Sequence, residues 1–213
     1  MQLTKFTHAC VRLDDGDRAI VIDPGSFSEV EQALDGVSTV LITHEHPDHI
    51  DVDKVKAAAK AHGELRIWAP DSVAAALADL GDQVTTVGVG ETFDAGGFSV
   101  ETFGGQHALI HPSIPTISNL GYLIDGSVFH PGDSFVVPTK PVSTLLVPVH
   151  APWSKTAEVI DFSVAVRAPK AYAIHDSLLT DVALNMVAGL VGRFAGAHGS
   201  EYERLQPGST VDL

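Results

Sequence analysis

The sequence predicts an α/β fold in which helices are layered on sheet. Three observations point there. Strand-like and helix-like segments alternate through the first half of the chain. Short apolar runs repeatedly end in a His or Asp, where loops of a layered fold converge over one sheet edge. The densest of these endings, Thr43-His44-Glu45-His46-Pro47-Asp48-His49-Ile50, directly follows the apolar run Val40-Leu41-Ile42.

Residues 2–13 alternate as one strand through His8-Ala9-Cys10. Asp14-Asp15-Gly16-Asp17 signals a turn, and Arg18–Ile22 completes a hairpin that ends at Asp23-Pro24-Gly25. Ser28–Leu34 reads as a short helix with Gly36 past its end, and Thr39–Thr43 is the strand that feeds the motif. Asp51–His62 is a helix stopped by Gly63. Leu65–Ala69 is a strand, Asp71 caps a helix through Leu80-Gly81, and Val84–Val87 and Glu91–Asp94 are short strands. Phe98–Phe103 ends in Gly104-Gly105-Gln106-His107, and His111-Pro112-Ser113-Ile114-Pro115 is irregular. Asn119–Ile124 and Ser127–His130 are joined by Asp125-Gly126, a strong short-range hairpin signal, and the second strand ends at Pro131-Gly132-Asp133-Ser134. Thr144–Val149 is a buried strand ending in His150, Lys155–Val166 a helix, and Ala171–Ile174 a buried strand ending in His175-Asp176. Ser177 caps a helix to about Gly192, and the tail around Gln206-Pro207-Gly208 reads as loosely structured. No repeat, linker or low-complexity tract divides the chain, so residues 1–213 read as a single domain.

The chain carries 27 acidic against 13 basic residues, a formal charge of −14. That field repels nucleic acid, and Lys54, Lys56 and Lys60 read as one solvated helix face. The single cysteine, Cys10, excludes an internal disulfide framework and a cysteine-rich metal site. The N-terminus lacks a signal-peptide pattern and no apolar run reaches the length of a membrane span, so a cytoplasmic protein is expected. A small-molecule substrate is the expected partner, and self-association into a homo-oligomer is left open.

The motif makes little sense as packing. Three imidazoles and two carboxylates gathered without a cation would cost several kcal/mol in desolvation. In extended backbone His44 and His46 project the same way, while Pro47 turns the chain so that Asp48 and His49, at a helix start, face a second position. Nitrogen and carboxylate ligands without thiolate suit Zn2+, with Mn2+ or Fe2+ as alternatives.

In this order, Asp23, His44-Glu45-His46-Pro47-Asp48-His49, His107, Asp133 and His175 resemble the metallo-β-lactamase superfamily. The resemblance spans residues 8–176. It implies a four-layer αββα sandwich with two metal ions at one edge. It assigns His44, His46 and His107 to one zinc, Asp48, His49 and His175 to the second, and Asp133 to a bridge between them. The starting hairpin, the Gly-Gly-x-His segment and the Pro-Gly-Asp-Ser strand end look most like the branch of ascorbate-6-phosphate lactonase-like hydrolases. Authentic β-lactamases of the superfamily commonly use a cysteine ligand, and Cys10 is remote from the motif, so antibiotic hydrolysis is not expected.

The expected function is a binuclear metallo-hydrolase. A hydroxide bridging two zinc ions, its pKa lowered towards about 7, would attack an ester, lactone, amide or phosphodiester. Asp48, Asp133 and His150 are the candidate catalytic residues, the two carboxylates orienting the nucleophile. A mononuclear iron persulfide dioxygenase and a non-catalytic metal-binding module are the alternatives. His8 reads as a structural histidine rather than a ligand. Asp23 is either a turn former or a support for the metal loop. His111 is either a pocket or a loop residue, and Trp153 a pocket wall or a core plug. His130 is expected behind the ligands, His62 and His198 on the surface, and Asp176 either orients His175 or caps a helix.

Overall fold

A computed structural model describes residues 1–213. Two seven-stranded sheets lie face to face. The first contains β1 (Gln2–Lys5), β2 (Val11–Asp15), β3 (Arg18–Ile22), β4 (Thr39–Leu41), β5 (Arg66–Ala69), β6 (Val84–Thr86) and β14 (Thr210–Asp212), in the order β14-β1-β2-β3-β4-β5-β6. The second contains β7 (Thr92–Ala95), β8 (Phe98–Gly104), β9 (Leu120–Ile124), β10 (Val128–His130), β11 (Thr144–Pro148), β12 (Lys170–Ile174) and β13 (Glu201–Glu203), in the order β13-β12-β11-β10-β9-β8-β7.

Alternation along the strands builds the layers, because successive side chains point to opposite faces. Leu41 of β4 faces the second sheet and packs in one cluster with Leu13, Ile22, Phe98, Tyr122 and Ile174. Its neighbours Val40 and Ile42 face outward, against α1 (Val30–Ala33), α2 (Val52–Ala61) and α3 (Asp71–Ala76), through Val30, Val55, Ala59 and Val73. The second sheet does the same with Leu145, Val147 and Ala173 against α4 (Thr156–Val166) and α5 (Asp181–Gly196), through Val159, Phe162 and Val187. Three apolar interfaces in sequence make the αββα sandwich. No helix is long and apolar enough to cross a membrane.

The Asp125-Gly126 turn forms as expected, with φ of 48° and 62°, the left-handed pair that a tight hairpin needs. Four expectations are corrected. Residues 2–13 are two antiparallel strands, not one, with the chain reversing between Phe6 and Cys10 and His8 at φ 66°. The alternation continues through the turn, which hid it. Asp71 lies inside α3 rather than capping it: Pro70 precedes the helix, and a 3-10 turn at Ala78–Gln83 follows. Ser177 does not cap α5, whose cap is Thr180, accepting the Ala183 amide. The tail is not loose. Its two ends add β13 beside β12 and β14 beside β1. Its pairing partners are remote in the chain, beyond what local pattern reports.

Candidate metal centre

The loops after β3, β4, β8, β10 and β12, together with the β1–β2 turn, meet at one edge of the sandwich. Side chains staple the two sheets together here. Tyr122 Oη on β9 donates to the Ile42 carbonyl (2.8 Å), and the Leu120 amide donates to the Thr43 carbonyl (2.9 Å). The motif strand is therefore locked to the second sheet at the point where the histidines begin.

Two groups of side chains result. His44, His46, His107 and Asp133 bring their donor atoms to one place, and His8, Asp48, His49 and His175 to a neighbouring one, each set within 4.8 Å. Asp133 faces both. Its Oδ2 is 3.3 Å from His107 Nε2, and its Oδ1 is 3.0 Å from His49 Nε2 and 3.3 Å from His175 Nε2. His44 Nε2 and His46 Nδ1 are 3.1 Å apart.

The outer hydrogen bonds set the tautomers. His49 Nδ1 donates to Asp23 (2.6 Å), His107 Nδ1 to the Ala108 carbonyl (2.6 Å) and His175 Nδ1 to the His150 carbonyl (2.6 Å). Thr43 Oγ1 donates to Asp23 (2.7 Å), so it can only accept from His44 Nδ1 (3.0 Å). Each of these rings thus holds its proton on the outside and turns an Nε2 lone pair inward. His49 Nε2, His107 Nε2, His175 Nε2 and Asp133 Oδ1 are buried and have no hydrogen-bond partner. Converging, buried, unpartnered lone pairs are costly unless a cation takes them, and the set fits divalent ions with nitrogen and oxygen ligands.

Asp23 is fully buried and receives the Thr43 amide (2.8 Å) as well as the two side chains above. It supports the loop that carries Thr43 and His49 and is not merely a turn former. Substituting Asp23→Ala frees the His49 ring and leaves Thr43 unpaired. Metal affinity is expected to fall by about 10- to 100-fold, the usual cost of losing an outer partner of a ligand. Competition with a chromophoric chelator reads this directly, and unchanged affinity would remove Asp23 from the role.

Close backbone approach completes the frame. A Cβ on Gly25 would meet the Asp48 carbonyl oxygen at 1.9 Å, and one on Gly132 would meet Asn119 Oδ1 at 2.2 Å. Buried Asn119 holds the Asp133 loop, accepting the Asp133 amide (2.9 Å) and donating to the Pro131 carbonyl (2.9 Å). His8, Asp23 and His175 all sit at positive φ, a strained backbone that survives where surrounding contacts over-determine it.

Electrostatics bind the cluster together. Burial opposes ionisation of Asp133, but the His49, His107 and His175 rings outweigh it and hold the carboxyl well below the usual range. The same contest, with His175 and His8 on the other side, holds Asp48 low. Burial pulls His175 down, yet Asp133 and Asp48 raise it to about 9, and Asp133 and Asp23 likewise raise His49 against burial, so with no ion bound the carboxylates draw a proton onto the inward Nε2, the position a metal cation takes in its place. His44, His46 and His8 are pushed down, by burial first. Cys10, buried away from the cluster, has its thiol pushed up to about 12 by burial.

The seven sequence-predicted ligands all arrive at this edge. His8, read as structural, joins them: its Nε2 is 3.0 Å from Asp48 Oδ2 and its Nδ1 is 2.8 Å from Ser177 Oγ. Its place at a strand end was the available signal, masked by reading one strand through it. Trp153 is a pocket wall, its indole N–H donating to Asp133 Oδ2 (2.9 Å). His130 lies behind the ligands, accepting the Gly132 amide and donating to the Ala9 carbonyl. His111 turns to the Ser113 amide (3.1 Å) in its own loop. Asp176 neither orients His175 nor caps a helix. It pairs with buried Lys5 (3.3 Å) and with Arg204 (3.5 Å). His62 and His198 are exposed.

His150 is the catalytic candidate that the structure does not bring in. Its carbonyl serves His175, while its ring lines a separate groove of about 230 Å³ with Thr156, Leu179 and Met186. A strand-end position places the backbone but not the direction of the side chain. His150→Ala is expected to keep its metal content and to hydrolyse within about threefold of the parent, under about 0.7 kcal/mol. Elemental analysis with steady-state kinetics decides, and a tenfold loss of turnover would restore His150 to the chemistry.

The profile of a family described as a beta-lactamase superfamily domain matches residues 2–175. The Mycobacterium tuberculosis protein Rv0786c is 37% identical over 218 residues, covering 100% of this chain and 95% of its own. A UPF0173 metal-dependent hydrolase of Xanthobacter autotrophicus is 34% identical over 169 residues, 71% of this chain and 68% of the relative. Among solved structures, the metallo hydrolase Igni18 of Ignicoccus hospitalis superposes with a TM-score of 0.76 at 20% identity, over 99% of this chain and 97% of its own. The diiron β-hydroxylase CmlA of Streptomyces venezuelae gives 0.75 at 20% identity, over 100% of this chain and 54% of its own. At such identities these two likenesses show the fold.

Proposed function

The chain belongs to the metallo-β-lactamase superfamily of metal-dependent hydrolases, and from that premise we propose that it holds two divalent ions, zinc foremost, and hydrolyses a small-molecule ester, lactone, amide or phosphodiester. His44, His46 and His107 would hold one ion, Asp48, His49 and His175 the other, with Asp133 shared. When bound, the ions supply a water ionised near neutral pH and a Lewis acid for the electrophilic oxygen.

The observation that carries this reading is the direction of the lone pairs. His49, His107 and His175 each donate outward through Nδ1 and leave a buried Nε2 without a partner, facing Asp133. A structural histidine cluster would satisfy those atoms internally.

The chain's own groups then have separable tasks. Asp133, fixed by Trp153 and by the Asn119-held loop, stays ionised between the two sets. Asp48 is about 20% exposed and borders the cavity, so its carboxylate can orient the attacking water by accepting a hydrogen bond from it. His8, between Asp48 and Ser177, fixes the carboxylate that does so. A cavity of about 290 Å³ opens on these groups and admits a small substrate.

The test is elemental analysis of protein purified without added metal, followed by a panel of esters, lactones and phosphodiesters. Two zinc ions per chain with hydrolysis supports the proposal. One iron per chain with activity on a persulfide would replace it by the oxygenase. Full metal loading with no hydrolysis across the panel would leave a binding module.

A further inference from the structure

The walls of the cavity, as distinct from its floor, say what the substrate looks like away from the bond that breaks. The floor is the ligand cluster. The walls are Phe27, Ile110, Pro152, Trp153 and Leu178. None of the 13 Lys and Arg residues of the chain lines the cavity. A smaller recess beside it continues the apolar surface with Ile114 and Ile117, and it too has no cation.

These walls are built, not incidental. Trp153 is pinned by its bond to Asp133 and by an edge contact with Phe135, ring centroids 4.9 Å apart. Phe27 packs edge-on to His8, with centroids 5.2 Å apart. Leu178 follows Ser177, which is bonded to His8. Phe27 and Leu178 are nonetheless 47% and 48% exposed. Large apolar side chains held open around a polar floor mark a ligand surface.

We propose that, within the hydrolase reading above, the substrate is a neutral carboxylic ester or lactone with an apolar body. Its carbonyl is held at the floor while its apolar part lies along Phe27, Trp153 and Leu178. The phosphorylated sugar lactone implied by the branch resemblance fits poorly. Its remote phosphate would meet apolar walls and a chain of net charge −14 with no side chain to pair it. The reaction balances as hydrolysis. Water oxygen bonds to the acyl carbon, the acyl C–O bond breaks, the alkoxide takes up one of the two water protons, and the acid product loses the other to solvent.

Metal-loaded protein is assayed with p-nitrophenyl butyrate and hexanoate, with the p-nitrophenyl monoester of succinate, and with bis-(p-nitrophenyl) phosphate. Expected is a kcat/KM that rises about three- to fourfold per added methylene, and that exceeds the succinate ester by about 100-fold. Leu178→Arg is expected to reverse part of that preference, raising the succinate ester and lowering the hexanoate. Binding is read separately by tryptophan fluorescence, titrating hexanamide against adipic acid monoamide, so that the inference is tested even where turnover is absent. Preference for the neutral amide supports it. Equal or tighter binding of the charged amide overturns it, as does equal or faster turnover of the succinate ester or the phosphodiester. Those outcomes leave the metal-dependent hydrolase intact, whereas metal-loaded protein that binds hexanamide and cleaves nothing sinks the hydrolase and keeps the pocket.

Discussion

Asp133→Ala is expected to lose at least one of two metal ions per chain and to slow hydrolysis by at least about 10³-fold, equivalent to about 4 kcal/mol of transition-state stabilisation. The size follows from position. The Asp133 carboxylate lies within 3.3 Å of three imidazole Nε2 atoms drawn from both sets, and it accepts the Trp153 indole. Removing it takes the shared negative charge from between two sets of ligands and frees a wall of the cavity in the same step. Like-charge repulsion between two ions then loses the one carboxylate that faces both sets, leaving only Asp48 on one side. Asp133→Asn keeps the volume and the indole contact while halving the acceptor capacity, so it separates charge from shape. The measurements are metal stoichiometry by elemental analysis and kcat on whichever ester proves best. Two ions and near-normal turnover in the alanine variant would end the shared-ligand assignment.

Chelation gives the second large effect. Stripping the ions is expected to abolish hydrolysis and to lower the melting temperature, both recovering when zinc is restored. A ligand present at about 100 times its Kd stabilises by about 2.7 kcal/mol, worth roughly 5–10 °C for a chain of this size. The chain-specific reason for a drop is the set of buried, unpartnered atoms at His49, His107, His175 and Asp133. With no cation to face, those groups are a local liability. The loops that carry them are anchored mainly by Asp23, Asn119 and Tyr122. Scanning calorimetry before and after chelator reads the shift. Unchanged melting together with unchanged turnover would mean that the cluster is held by its own hydrogen bonds and has no need of metal.

Much of this is legible in the sequence. The Asp125-Gly126 turn, the helix between Asp51 and Gly63 and the strand before His44 depend on near neighbours, and they form where local pattern places them. The candidate ligands are legible for a different reason. A His or Asp directly after a short apolar run has few packing uses, so its residue type carries information. What sequence could not supply was orientation. Strand-end position alone does not separate His150 from His175, yet one ring turns to a groove beside α5 and the other to the cluster. Nor does local pattern pair His8 with Ser177 or Asp176 with Lys5. Each partner lies more than 160 positions away.

By itself the sequence determined which residues could hold ions and that sheet and helix would be layered. Both are consequences of side-chain chemistry and of repeat period, properties that each segment carries alone. Only the tertiary structure decided which way each ring faces, that Asn119 and Trp153 hold Asp133, and that the cavity walls are uncharged. Those outcomes depend on where chain segments remote from one another come to pack, which no local pattern encodes.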